Sequence, residues 1–158
     1  MIWGMTTATF TLVHVVLSLI GIGAGLMVMV GLLSGRLPPG WNRLFLVTTV
    51  ATSVTGFGFP FDHLLPSHKV GIISLVILAV AVLARYGRHL AGGWRRVYVV
   101  SAAIALYLNV FVAVTQAFLK IPVLTALAPT QAEPPFAIVQ LAVLGLFIAL
   151  TVVAVKKA

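Results

Sequence analysis

The sequence predicts an all-α fold: a polytopic membrane bundle of five transmembrane helices, N-terminus out and C-terminus in. Three observations carry that expectation. Apolar residues make up 61% of the chain and charged ones only 8%, with a mean hydropathy of +1.19; soluble domains run at roughly 45–50% apolar and about 25% charged. The apolar residues fall in long runs, and a hydrocarbon core of about 30 Å takes roughly 20 residues as helix. Finally, Lys and Arg gather in alternate connections. A length of 158 residues suits one domain, so a single transmembrane domain is expected over 1–158.

The first run extends from Thr7 to Leu33 and the second from Leu44 to Phe59. The third covers Val70 to Ala84, the fourth Val97 to Leu119 and the fifth Phe136 to Val155. The second and third are short, and Trp41 and Tyr86 at their ends suit interfacial anchoring. Breakers mark every connection: Pro38-Pro39-Gly40, then Pro60 and Pro66, then Gly92-Gly93, then Pro129 and Pro134-Pro135. The opening stretch MIWGMTTATF has no basic n-region, and the run after it is too long for a signal h-region. It is expected to stay as a span.

Charge orients the bundle. Arg36, Arg43, Arg85, Arg88, Arg95, Arg96, Lys156 and Lys157 fall on one side. The other side receives Lys69 and Lys120 with both acids, Asp62 and Glu133. Excess Lys and Arg mark the cytoplasmic face. The net charge of +8 is therefore read as topology. The cations form short clusters rather than a continuous basic face, so nucleic acid is not an expected partner; the lipid bilayer is.

Polar groups collect in the half predicted to face outward. His14 lies about 10 Å in along the first span, Gln140 at similar depth in the fifth, and Gln116 nearer the surface in the fourth. The connection FPFDHLLPSHK adds Asp62, His63 and His68, and the longest loop adds Glu133. His14, Ser18, Gly21 and Gly25 share one face of the first helix, and the GxxxG of Gly21 and Gly25 lets another helix approach closely. That directs His14 toward protein, as a functional group or as a neutral imidazole hydrogen-bonded to a neighbouring helix. Asn109 lies near mid-membrane and is read as interhelical glue. The hydroxyls Thr48, Thr49, Thr52, Ser53 and Thr55 can bond back to their own helix, so packing is the expected role there.

The chain has no cysteine and no GxSxG, HExxH, Walker A or GxGxxG motif. A stand-alone enzyme is not expected. Two function classes follow. The first is a haem- or metal-binding redox protein, with His14 and His68 as candidate axial ligands to haem b and Gln116 and Gln140 as polar neighbours. His63, Asp62 and Glu133 are weaker candidates for a transition metal. The second class is an accessory subunit of a larger membrane complex, or a small transporter acting as a homo-oligomer through the glycine face.

The phrases SLIGIGAG, TTVATSVTGFGFP, LPSHKVGIISL, ALYLNVFV and LAPTQAEPPF, spread over nearly the whole chain, resemble a group of small bacterial multi-pass inner-membrane proteins. The resemblance implies a bacterial inner-membrane location and brings no activity with it.

Overall fold

The computed structural model describes residues 1–60, 62–64 and 66–158, and the side chains of all of these except Pro66 and Ser67. The described chain is helical throughout, with one β-bridge between Ile2 and Met5 before the first helix. Helix α1 runs Thr7–Leu33, α2 Pro39–Gly56, α3 Pro66–Val82, α4 Trp94–Lys120, α5 Pro122–Leu127 and α6 Pro134–Lys157. A π-helical turn, Leu83–Gly87, extends α3.

Local chemistry sets the ends of these helices. Thr6 caps α1 by accepting from the Thr9 amide at 3.2 Å. At its other end Gly35 takes a φ of +72°, and the amides of Gly35 and Arg36 bond back to Leu32 and Gly31. Prolines open α2, α5 and α6, where the missing N–H would have had no helical partner. That tolerance moves the sequence-based limits. Helix α2 begins at Pro39 rather than Leu44 and ends at Gly56 rather than Phe59, and α3 begins at Pro66 rather than Val70. The loop expected from Lys120 to Pro135 contains α5, whose Thr125 hydroxyl donates to the Phe118 carbonyl at 2.7 Å.

Among the described residues, four helices are long and apolar enough to cross a membrane: Thr7–Leu33, His68–Gly87, Trp94–Lys120 and Pro134–Lys157. Helix α2 has 18 residues, about 27 Å of helix, but its five hydroxyls lower its hydropathy. It packs chiefly along α1, α3 packs along α4, and α4 also meets α1 and α6. Helix α4 is the most buried span and α6 the least. Around the outside, Leu19, Val30, Val47, Val76, Ile138, Leu141, Leu146 and Ile148 are all more than half exposed. An apolar exterior of this extent fits a lipid surround.

The long helices alternate in direction, so the connections gather at two ends. One, the basic end, joins α1 to α2 and α3 to α4 and receives the end of α6. There Arg95 donates to the Gly35 carbonyl at 2.9 Å, and Arg88 stands 5.2 Å over the Trp94 ring. The opposite end carries the N-terminus, the α2–α3 connection and α5.

Candidate functional site: a polar chamber between four helices

A cavity of about 100 Å³ lies between α1, α2, α3 and α4, toward the end that carries the N-terminus. Its wall takes His14 and Ser18 from α1, Thr49, Thr52, Ser53 and Gly56 from α2, His68 and Ser74 from α3, and Asn109 from α4. The chamber thus brings together His14 and His68, residues far apart in sequence. A liquid water occupies about 30 Å³, so the space suits about three waters or one small solute.

Several wall residues are held by their own helix or its neighbour. His14 Nδ1 stands 2.7 Å from Thr55 Oγ1. The Thr55 hydroxyl has one proton and lies 2.7 Å from the Ala51 carbonyl, which can only accept. With the Thr55 proton on that carbonyl, the imidazole donates through Nδ1–H, and a neutral His14 then keeps its lone pair on Nε2. The ring edge of His14 meets Phe59 at 5.3 Å. Phe59 meets Phe10 at 5.0 Å and Phe10 meets Trp3 at 5.2 Å, so an aromatic row runs outward from the histidine. His68, in the first turn of α3, is buried, with its ring 5.3 Å from Phe57.

Asn109 supplies the deepest polar group. Ser18 Oγ donates to Asn109 Oδ1 at 2.9 Å, and Asn109 Nδ2 lies 3.5 Å from the Ser18 carbonyl. Along α2 the hydroxyls of Thr48, Thr52 and Thr55 donate to carbonyls one turn back, at 2.6 to 2.8 Å. Their oxygens retain lone pairs. Thr49 Oγ1 is different: it is buried and lacks a partner among the described residues. A buried hydroxyl left unpaired costs about 1–3 kcal/mol, and here it borders a cavity able to hold water.

Gly21 and Gly25 are buried and face the protein's own helices. A Cβ on Gly21 would stand 3.0 Å from Thr49 Oγ1 and 3.3 Å from Asn109 Nδ2; one on Gly25 would stand 2.5 Å from Leu106 Cδ1. The glycine face is covered within the chain by α2 and α4, which leaves it no room for a second copy.

The other polar residues marked in the sequence lie elsewhere. Gln140 is buried on α6, and its Nε2 donates to the Phe111 carbonyl and Thr115 Oγ1, both at 3.2 Å. Gln116 is exposed. His63 and Asp62 pair with each other at 2.6 Å in solvent. Glu133 accepts from the Thr130 amide and hydroxyl and from the Ala132 amide. The Thr130 hydroxyl and those amides hold its carboxyl below the usual range.

Sites for drug-sized ligands occupy roughly 300–1,000 Å³, so about 100 Å³ does not admit a porphyrin. Among the described residues no three His, Cys, Asp or Glu side chains converge as a metal site, and a closed zinc site takes four such donors.

Sequence reasoning passed over Ser53 and Thr49 as packing hydroxyls and did not mark Phe57 or Ser74. The dense hydroxyl spacing of α2 was the available signal, since five such groups exceed what back-bonding requires of one packing face.

Fold and site together define a multi-pass helical bundle, fitted to a bilayer, with a small polar chamber in one half. The chain matches no known family, no curated protein and no solved structure.

Proposed function

We propose that the protein is a five-span bacterial inner-membrane protein, N-terminus out, whose outer half holds a binding chamber for a small uncharged hydrogen-bonding solute. The observation that supports this reading is the chamber wall: His14, His68 and Asn109 with five hydroxyl-bearing residues around about 100 Å³. The lining includes no carboxylate, so nothing there would draw a cation out of water. Donors and acceptors are both present, as a solute of the urea or glycerol class requires. Its orientation is supported by the crowding of Arg and Lys at one end of the bundle.

His14 would contribute its Nε2 lone pair as acceptor, with Nδ1–H anchored on Thr55. Asn109 would contribute an amide at the floor. A redox role for His14 and His68 through haem b or a transition metal lacks support from the volume or the donor set. An absorption spectrum of haem-supplied protein checks it directly, and a Soret band would overturn the solute reading. An accessory role in a larger complex has no particular observation in its favour.

The site is tested in detergent on full-length protein with ¹⁵N-labelled histidine. Glycerol or urea is expected to move the His14 Nε2 resonance saturably, and Asn109→Leu to weaken the response. A linear response indistinguishable from that of His63 would sink the site. Topology is tested separately: the natural chain has no cysteine, so single cysteines at Ser34 and Gln131 report their own side. Impermeant maleimide is expected to label only the Gln131 variant in intact cells.

A further inference from the structure

We infer that the bundle carries a seat for one anionic phospholipid, with an acyl chain in a groove between α3 and α4 and the phosphate on Arg96. The groove has a volume of about 440 Å³ and opens on the outside of the bundle. Its apolar walls are Ile77 and Val80 from α3 and Val97, Val100 and Ile104 from α4, with Arg96 at one end. It shares no lining residue with the chamber and needs nothing bound there.

One residue class builds this groove. Every apolar wall residue is β-branched, and in a helix such side chains hold nearly a single χ1 rotamer, so the walls stay apart rather than folding into the space. Val97, Val100 and Ile104 follow i, i+3, i+7, which stacks them along one face of α4. Val80, Val97, Val100 and Ile104 are each between 36% and 38% exposed, against 60% for Val76 on the same α3. They are sheltered flanks and not a ridge. Ser101 at the floor is buried, and its hydroxyl donates to the Val97 carbonyl at 2.7 Å, so it demands no polar partner from an acyl chain.

Length and charge select the occupant. From Arg96 to Ile104 the groove follows about 12 Å of helix, close to the depth of one leaflet, about 15 Å for half the hydrocarbon core. Arg96 lies in the first turn of α4, at the basic end. All the Lys and Arg except Lys69 and Lys120 fall at that end and both acids at the other, so no carboxylate neutralises it. Its neighbours are engaged within the protein: Arg95 donates to the Gly35 carbonyl, and Arg88 stands over Trp94. Arg96 is exposed and makes no hydrogen bond, ion pair or ring contact among the described residues. A guanidinium at the mouth of an apolar groove complements a phosphate with its acyl chain. The groove between α2 and α3, which reaches Tyr86, has no charged residue in its wall and offers no such choice of headgroup.

The test places full-length protein in vesicles of equal parts phosphatidylglycerol and phosphatidylcholine, extracts it in mild detergent and reads retained lipid by native mass spectrometry. One phosphatidylglycerol per chain is expected, preferred at least fivefold over phosphatidylcholine. Arg96→Gln is expected to lower that preference at least threefold. Arg43→Gln, which alters an exposed cation of the same end outside the groove, is expected to leave it unchanged. Val100→Trp fills the groove and is expected to remove the lipid whatever its headgroup. Arg96 and Val100 are both exposed, and a folding failure in one variant leaves the other. Retention of no lipid, or of both lipids equally, would overturn the seat. So would an equal loss with Arg43→Gln, because general attraction to the basic end would then account for the preference. A dimer mass that Val100→Trp converts to monomer would overturn it too, since a second copy would then fill the groove.

Discussion

The two ends of the bundle meet the same difficulty, polar groups inside an apolar shell, in different ways. Toward the N-terminal end, most of the groups have partners and surround a space: His14 and Thr55 share a hydrogen bond, Ser18 donates to Asn109, and the Thr52 and Thr55 hydroxyls bond back to their own helix, with Thr49 Oγ1 the exception. Toward the basic end, Asn42, Tyr98 and Arg85 carry buried atoms that make no hydrogen bond of good geometry among the described residues, although the Arg85 guanidinium lies over the Tyr98 ring. The first arrangement is a prepared surface that stabilises itself. The second leaves polar atoms buried at a cost, and that contrast distinguishes the two ends.

The sharpest way to break the comparison is to strike the apolar layer where Gly25 meets Phe45 and Leu106. Gly25→Leu places a side chain where a Cβ alone already comes within 2.5 Å of Leu106 and 2.9 Å of Phe45. Overpacking of this kind costs about 1–3 kcal/mol, and the full leucine is expected to reach at least the top of that range. Gly23→Leu, two residues away, meets nothing within 4 Å and is expected to change stability little. Unfolding by SDS titration compares the two; equal midpoints would show that α1 does not hold α2 and α4 through this face.

Helix periodicity made this layer legible in part. Gly21 and Gly25 fall four apart in an apolar run, so a close helix approach could be read from the sequence. Which helix approaches could not. That depends on the way α2 and α4 fold back over α1, and a single sequence does not encode pair partners locally. The chamber was legible in the same uneven way. His14 shares the glycine face, which pointed it inward. His68 follows Pro66 at a helix start, and periodicity does not separate a buried side chain there from one directed to solvent. Gln140 looked equivalent to His14 by depth, yet its rotation about α6 aims it at the Phe111 carbonyl and the Thr115 hydroxyl of α4. Depth follows from counting residues, whereas facing follows from packing.

A second prediction compares one asparagine from each end. Asn109→Leu removes the Ser18 contact between α1 and α4, and interhelical hydrogen bonds of this type contribute about 0.6–2 kcal/mol. A loss in that range is expected. Asn42→Leu removes two buried atoms that have no partner among the described residues, so the folded bundle is expected to gain up to about 1 kcal/mol. Opposite signs by the same SDS titration would sharpen the contrast. A destabilised Asn42→Leu would show instead that Asn42 is satisfied as firmly as Asn109, and the two ends would cease to differ.

The smallest effect lies in the loop of the end opposite the arginines, at Glu133. Its carboxylate accepts from the Thr130 hydroxyl at 2.8 Å and from the Thr130 and Ala132 amides at 3.1 to 3.2 Å. These bonds favour the charged form, and its pKa is lowered from an ordinary value of 4.5. Because the folded pKa is the lower one, the unfolded chain binds the proton first. The contribution of Glu133 to stability is thus complete above about pH 4.5 and lost as pH falls through the folded pKa. Glu133→Gln is expected to leave the Tm at pH 3 nearly unchanged and to lower it slightly at pH 6. Contact with solvent keeps that difference small. If Tm falls equally at both pH values, the loop is held by shape rather than charge. The only other acid, Asp62, faces solvent beside His63, so neither carboxylate of the chain serves the chamber, whose chemistry rests on imidazole, amide and hydroxyl groups.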